Sequence, residues 1–482
     1  MLKNKQTYIF LLISIFISSI AIFFTTCKKD RTHKEFVQLT QSYLDYHIKL
    51  NPIKASLLGI HQFDGRLDDW SAESITAKIK NLKAFQKDLL KLDLTSLSRA
   101  DKIDYSILKS HLSSEIWNLE HYRIWERSPA FYHSQIRDAI TTITRQTKLT
   151  EKECQNLISR LKKVPQLLAQ EKANLQNSPR IAVEQGLDEI VSLRYLLTNV
   201  TTNTLQQFPA CRDSLLKLQK IVGDSLSALH KYFEKELLPN THQSASLGTE
   251  LYEEVLENQF QIHISIDSLL ILAADEYQWC VEELMQISTT LYENIYKQKN
   301  VNYLRTRQST EQVLEKIYNN YTQNDKLLST LNNIKSEIDQ FIAAMGLISK
   351  EIDYNVQFER SPLWNICPDL IDIEYPGPFA NNSNYHFYLK SLPDNLTWLE
   401  QISFLKNLNK SKLQILAIQN ISPGKILLDT NIRQNASLIR KVFPDKTYIE
   451  GWALFSGFIM VEAGYGGYDK KIKLLQLVDY LK

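Results

Sequence analysis

The sequence predicts a mainly α fold: one large helical domain over residues 35–482, with a small strand-and-loop layer near residues 354–398. Three observations carry this. Gly and Pro number only 13 each in 482 residues, whereas a strand-rich sandwich or barrel needs a turn every ~8–12 residues, usually built with those two types. Apolar residues recur at three- and four-residue spacing along most of the chain, the period of a helix face. Pro362, Pro368, Pro376, Pro378 and Pro393, with Gly377 and many Asn, crowd into one short stretch, where helices cannot run. Hydrophobic residues at 44% and charged residues at 23% are an ordinary globular balance, so the chain as a whole is not disordered.

Taken in order, the first helical stripe is Ile75, Ile79, Leu82, Phe85, Leu89 and Leu92, with Lys78, Lys80, Lys83 and Lys87 read as its solvated face. Thr150-Glu151-Lys152-Glu153 fits a capping box. Leu157, Leu161, Val164 and Leu168 follow on one face, with Pro165 predicting a kink. Leu215, Leu218, Val222, Leu229 and Phe233 form another stripe, closed by Pro239. Residues 266–296 and 310–348 read as two long helices. Tyr385-His386-Phe387-Tyr388-Leu389 alternates like a strand. Helical pattern resumes near Trp398, breaks at Pro423-Gly424 and Pro444, and is strong again from Ile449 to Ala463. Gly464-Tyr465-Gly466-Gly467 reads as a helix-ending turn and not a phosphate loop, since it follows a helix and lacks Lys-Ser/Thr.

Residues 1–26 have the form of a secretion signal. Lys3 and Lys5 precede an uncharged apolar run from Tyr8 to Phe24, followed by Thr25-Thr26-Cys27. A cysteine directly after small residues resembles a bacterial lipoprotein signal, in which the thiol is acylated and the peptide is cut just before it. That resemblance implies lipidation at Cys27, a tether over residues 27–34, and a lipid-anchored location on the periplasmic or outer face of a bacterial membrane. An uncleaved signal anchor and a simple cleaved signal are the alternatives, because the apolar run lies at the lower edge of the ~17–25 residues of a membrane span. The remaining cysteines are Cys154, Cys211, Cys280 and Cys367. Outside the cytoplasm they are permitted to pair, and their spacing allows three pairings and selects none; four free, buried thiols fit equally.

Beyond Lys3 and Lys5, basic and acidic residues balance at 54 each, so no nucleic-acid partner is expected. G-x-S-x-G and Walker A are absent. No two of the ten histidines lie within nine positions of each other, which excludes H-E-x-x-H, and none follows His386, itself read as a hydrogen-bonded structural residue. Glu450 stands apart, set in an apolar helical stretch. An unpaired carboxylate there is costly, so it requires a partner: an arginine or a helix N-terminus, or a metal ion.

Tyr448-Ile449-Glu450-Gly451-Trp452-Ala453-Leu454-Phe455 resembles the Glu-Gly-Trp-Ala-Leu-Tyr signature of a bacterial family known as domain of unknown function 885. Asn51-Pro52 to His61, Asp68-Asp69-Trp70-Ser71, the block from Leu97 to Tyr105, Ser128 to Tyr132, and the run around Val164 to Leu168 are similar to further blocks of it. The resemblance implies a largely helical, zinc-peptidase-like fold with many secreted or lipoprotein members. Its metal motif is His-Glu-x-x-Pro-Gly-His-His. Here the matching stretch is Gln419-Asn420-Ile421-Ser422-Pro423-Gly424-Lys425-Ile426. Gln419, Lys425 and Ile426 take the histidine positions and Asn420 the glutamate position. Glutamine is a poor zinc ligand beside imidazole, asparagine cannot act as a base, and lysine adds positive charge where a cation would sit. Gly457 and Phe455 replace a family Glu and Tyr. Glu450 is the one residual ligand position, and Pro423, Gly424, Gly451 and Trp452 are the retained motif residues. The apolar stripe Ile472, Leu475, Val478, Leu481 stops in mid-helix, as in a shortened or fragmentary member.

The expectation is therefore a lipoprotein with a degenerate metal motif and no cofactor, a pseudoenzyme binding a peptide or a cell-envelope partner. The rivals are an active metal-dependent peptide or amide hydrolase, which would carry zinc, and a structural or interaction protein with no open cleft.

Overall fold

The computed structural model describes residues 30–144, 149–297, 306–348, 353–362, 370–392 and 396–481. Cys27, Cys367 and the apolar run Tyr8–Phe24 lie outside these. The protein is mainly helical with one small mixed sheet, and its backbone clusters into two compact units: residues 1–251 with 437–443, and residues 252–436 with 444–482.

The first unit contains α1 (residues 30–50), which begins ahead of the expected start at Glu35, then α2 (Pro52–Leu57), α3 (Ala72–Leu89), α4 (Arg99–Trp117), α5 (Ile124–Arg127), α6 (Pro129–Thr144), α7 (Glu151–Leu161), α8 (Val164–Asn174), α9 (Arg180–Gln207), α10 (Arg212–Tyr232) and α11 (Leu238–Asn240). The capping box forms as read: Thr150 Oγ1 accepts from the Glu153 amide at 3.2 Å while Glu153 Oε2 accepts from the Thr150 amide at 2.6 Å. Pro165 does not kink a continuous helix. The chain stops at Leu161 and restarts at Val164 with Pro165 in the first turn, where its missing N–H has no partner to lose. Lys78 is also not solvated. It is 7% exposed, its ammonium 3.8 Å from the centre of the Trp70 ring, a cation–π seat that lowers the cost of burial.

Ile136, Ile140 and Ile143 of α6 and Val183, Ile190, Leu193 and Leu197 of α9 are buried in this unit's core. Polar groups are threaded through it. Arg160, wholly buried, donates to Ala139 O at 2.7 Å and Thr142 Oγ1 at 2.8 Å. His133 lies 3.1 Å from Glu171 and 2.8 Å from Glu189. The returning segment, α19 (Leu438–Val442), is held by Arg440 Nε on Asp104 at 2.7 Å and by Phe443 stacked on His111 at 3.8 Å.

α12 (Gly248–Phe260) leads into the second unit, with α13 (Ile266–Tyr296), α14 (Thr306–Tyr318), α15 (Leu327–Met345), β1 (Asn355–Arg360), β2 (Ile371–Glu374), β3 (Asn384–Leu389), α16 (Trp398–Lys406), α17 (Lys410–Asn420), α18 (Lys425–Asn435), α20 (Lys446–Glu462) and α21 (Lys470–Tyr480). The helix expected over residues 310–348 is two helices. It breaks at Asn319-Asn320, polar residues whose side chains compete with the helix backbone, where Tyr321 bridges to Asn409. The sheet order is β1-β3-β2, with β1 parallel and β2 antiparallel to β3. Tyr385, Phe387 and Leu389 are fully buried on one face of β3. His386, on the other, pairs with Glu359 at 3.0 Å. Leu331, Ile334 and Ile338 of α15 share the unit's core with Leu413, Ala417 and Ile418 of α17 and Leu474 and Leu477 of α21. Among the described residues no helix is long and apolar enough to cross a membrane.

Candidate functional site

The residues singled out from the sequence converge in the second unit, around the joint between α17 and α18. Six consecutive residues of α17, Leu413 to Ile418, are buried, Gln414 among them, so it is a central helix enclosed on all sides. Its C-terminal end turns sharply. The Gly424 amide donates to Ile418 O at 3.0 Å, and a Cβ at Gly424 would fall 1.9 Å from Gln419 O. Only glycine admits that approach. Trp452 of α20 donates its indole N–H to Pro423 O at 2.8 Å. The retained motif residues Pro423, Gly424 and Trp452 thus make a structural joint between α17, α18 and α20. Gly451 is different, as a Cβ there would meet open space.

The degenerate positions each have a distinct fate. Lys425 places its ammonium 2.8 Å from Oε1 and 2.7 Å from Oε2 of Glu450. Glu450 is not enclosed in an apolar helix: it lies near the start of α20 with its side chain 66% exposed. Asn420 donates back to Leu416 O at 2.9 Å. Ile426 is fully buried in the core. Gln419 faces Gly457, whose missing side chain leaves room that Gln419 and Gln476 crowd: a Cβ there would be 3.3 Å from Gln419 Nε2 and 2.9 Å from Gln476 Nε2. Gln476 is 2% exposed, and its amide has no hydrogen-bond partner among the described residues.

A catalytic zinc usually needs three protein ligands and an activated water. The polar groups at this joint are three amides, from Gln419, Asn420 and Gln476, an ammonium and one carboxylate already engaged by that ammonium, and they do not fit the ion. Among the described residues, no group of three or more His, Cys, Asp or Glu is arranged to hold a metal.

Sequence reasoning missed a second set of polar groups beside this joint. Tyr385 of β3 donates to Asp429 of α18 at 2.7 Å and shares a 2.8 Å hydrogen bond with Thr430. Burial raises the Asp429 carboxyl to about 6, against the opposing pull of the Tyr385 hydroxyl and Arg433. Burial also pushes the Tyr375 hydroxyl up, and the charges of Asp429 and Glu450 add to it. The inward position of Tyr385 was readable from the strand alternation; its pairing with Asp429 was not, because it joins a strand to a helix 44 residues later.

A cleft of about 700 Å³ lies elsewhere in the unit. It is lined by Lys316, Glu337, Lys410, Gln414, Asp469 and Lys471 with apolar Ile295, Ile317 and Ile472. It shares α17 with the joint but does not include the Lys425–Glu450 pair.

These features define a mainly helical fold with a small mixed sheet and a joint of three helices at its motif. The same fold is seen in the solved structure of "a putative lipoprotein of unknown function from Shewanella oneidensis", similar to this chain with a TM-score of 0.74 and 19% identity over 92% of this chain and 80% of that one. The chain belongs to the family of bacterial proteins of unknown function DUF885, whose pattern matches residues 52–482. No curated protein matches the sequence.

Proposed function

We propose that this chain is a non-catalytic member of a peptidase-like family, lipid-anchored through Cys27 on the periplasmic or outer face of a bacterial membrane, which binds a peptide or an envelope partner in its cleft. The observation that carries this reading is the Lys425 ammonium on both oxygens of Glu450. A fixed cation occupies the one ligand position left, and Asn420, where a general base would be needed, is turned back onto its own helix. The cleft supports binding: three lysines, two acids and amide groups around apolar isoleucines suit the mixed charge and backbone amides of a peptide. The likeness to a structure described as a lipoprotein supports the anchor.

The test is elemental analysis of the purified mature protein after zinc loading, with a mixed-peptide hydrolysis assay run with and without chelator. The expected result is no stoichiometric zinc and no chelator-sensitive turnover, with titratable binding of the peptide mixture that weakens on Lys410→Glu. One tightly held zinc per chain, or turnover lost on Glu450→Ala, would establish the hydrolase instead. Absence of any peptide binding would leave a structural protein.

A further inference from the structure

We propose that Cys154 and Cys211 are a dedicated pair that closes to a disulfide when the chain folds under oxidising conditions. Their sulfurs lie 2.7 Å apart, against about 2.05 Å for a disulfide bond, so closure asks for a displacement of well under 1 Å. Cys154 is in the first turns of α7 and is fully buried; Cys211 ends the short turn Pro209–Cys211 that leads into α10 and is 7% exposed. Cys280 is in the other compact unit, buried, with its thiol on Leu477 O at 3.5 Å. Of the three pairings that sequence spacing leaves open, the geometry selects this one among the described cysteines. The bond would link α7 to the start of α10, closing a segment that contains α8 and α9, and so removes chain freedom from the unfolded state.

Chemistry sets when the bond forms. A thiolate attacks, not a thiol, and burial, reinforced by Cys211 and Glu151, holds the Cys154 thiol up at about 12. Exchange is therefore slow in the finished fold and fast while both sulfurs are still wet. The oxidant is an external disulfide, either a small-molecule disulfide or the active-site disulfide of a dithiol oxidase. The first cysteine thiolate attacks one of its sulfurs, forming a mixed disulfide and expelling one thiolate. The second cysteine, after losing its proton, attacks the protein sulfur of that mixed disulfide and expels the other. Two protein thiols are oxidised and one external disulfide is reduced to two thiols.

In the cell this outcome rests on the extracytoplasmic location proposed above, so the test separates the two. The full-length gene is expressed in a bacterium with a fatty-acid probe, and the membrane-bound protein is alkylated in denaturant without reductant, digested and mapped by mass spectrometry. The expected result is a linked Cys154–Cys211 peptide pair, with Cys280 alkylated. A second sample is fully reduced in denaturant and refolded in mixed oxidised and reduced glutathione, where the same pair should re-form in most chains. Oxidant added to protein already folded in the reduced state should act at least tenfold more slowly. Probe-labelled protein with both thiols alkylated would overturn the proposal. Unlabelled protein with both alkylated counts against the location, and the refolding arm then decides: re-formation of the pair upholds the proposal, and free or scrambled thiols overturn it.

Discussion

An ammonium held against both oxygens of one carboxylate supplies part of what a divalent ion would supply, charge neutralisation, and none of its Lewis acidity. That is the position of Lys425 on Glu450. Because Glu450 is largely exposed, the pair is screened by water, and exposed ion pairs contribute under ~1 kcal/mol. Lys425→Ala should therefore move the urea-unfolding free energy by less than that. A loss of several kcal/mol would mean that the joint depends on the pair. Larger effects belong to two buried histidines of the first unit. Burial, with Lys54 and Lys78, pushes the His47 imidazolium down to about 3. For His133 burial alone would act the same way, but Glu171 and Glu189 outweigh it and hold it up at about 9. Unfolded histidine titrates near ~6.5, so the signs are opposite. The His47 contribution is present above ~6.5 and is lost as pH falls toward 3. The His133 contribution is present below ~6.5 and is lost as pH rises through 9. Each limb has a slope of up to about 1.4 kcal/mol per pH unit. Urea unfolding from pH 4 to 10 should show stability falling on both sides of neutrality. His47→Phe should flatten the acid limb and His133→Gln the alkaline one. An unchanged alkaline slope in His133→Gln would refute the assignment.

At the scale of elements, three glycines that look alike in sequence separate by what surrounds them. Gly451 sits in a helix with open space at its Cβ position, so Gly451→Ala should stabilise by up to ~1 kcal/mol through helix propensity alone, although it belongs to the family signature. Gly424→Ala drives a Cβ into a backbone carbonyl and should cost ~3 kcal/mol or more. Gly186 of α9 would meet the Pro129 ring at 2.8 Å and Phe233 at 3.1 Å. A proline ring cannot swing aside, so overpacking of ~1–3 kcal/mol should outweigh the propensity gain. Thermal melts of the three variants order them directly. The same contrast shows what sequence makes legible. Periodicity placed α13 at Ile266–Tyr296 and the strand at β3, because those patterns follow the burial of one face. It ran α14 into α15 because the break at Asn319-Asn320 goes with a bridge from Tyr321 to Asn409, distant in the chain, and it set Lys78 in water because the ring under its ammonium belongs to Trp70, which precedes the helix and lies outside its periodicity. The residues of the joint were legible as a pattern, but the roles of Trp452 as donor to Pro423 and of Asp429 as partner to Tyr385 exist only across elements.

At the scale of the whole chain, composition was enough to read a helical protein, whereas the return of residues 437–443 to the first unit was not readable: it rests on Arg440 meeting Asp104 and Phe443 meeting His111, contacts with no local signature. The proposed N-terminal signal is the reverse case, read from sequence alone. Its three readings predict different behaviour of the same variant. If Cys27 carries acyl chains, wild type labels with a fatty-acid probe and sediments with membranes, since two or more chains hold a protein stably. Cys27→Ala then neither labels nor undergoes lipoprotein processing. Its release from the membrane would further depend on cleavage of the signal by another route, so labelling and N-terminal mass are the decisive readouts, not fractionation alone. An uncleaved anchor gives no labelling in either protein and a full-length N-terminus in both. A simple cleaved signal gives no labelling and identical trimmed termini in both. The expected outcome is labelled wild type with Cys27 as its first residue and an unlabelled variant. Equal labelling of the two would remove the lipid from Cys27, and with it the membrane-tethered geometry in which the cleft is proposed to meet its partner.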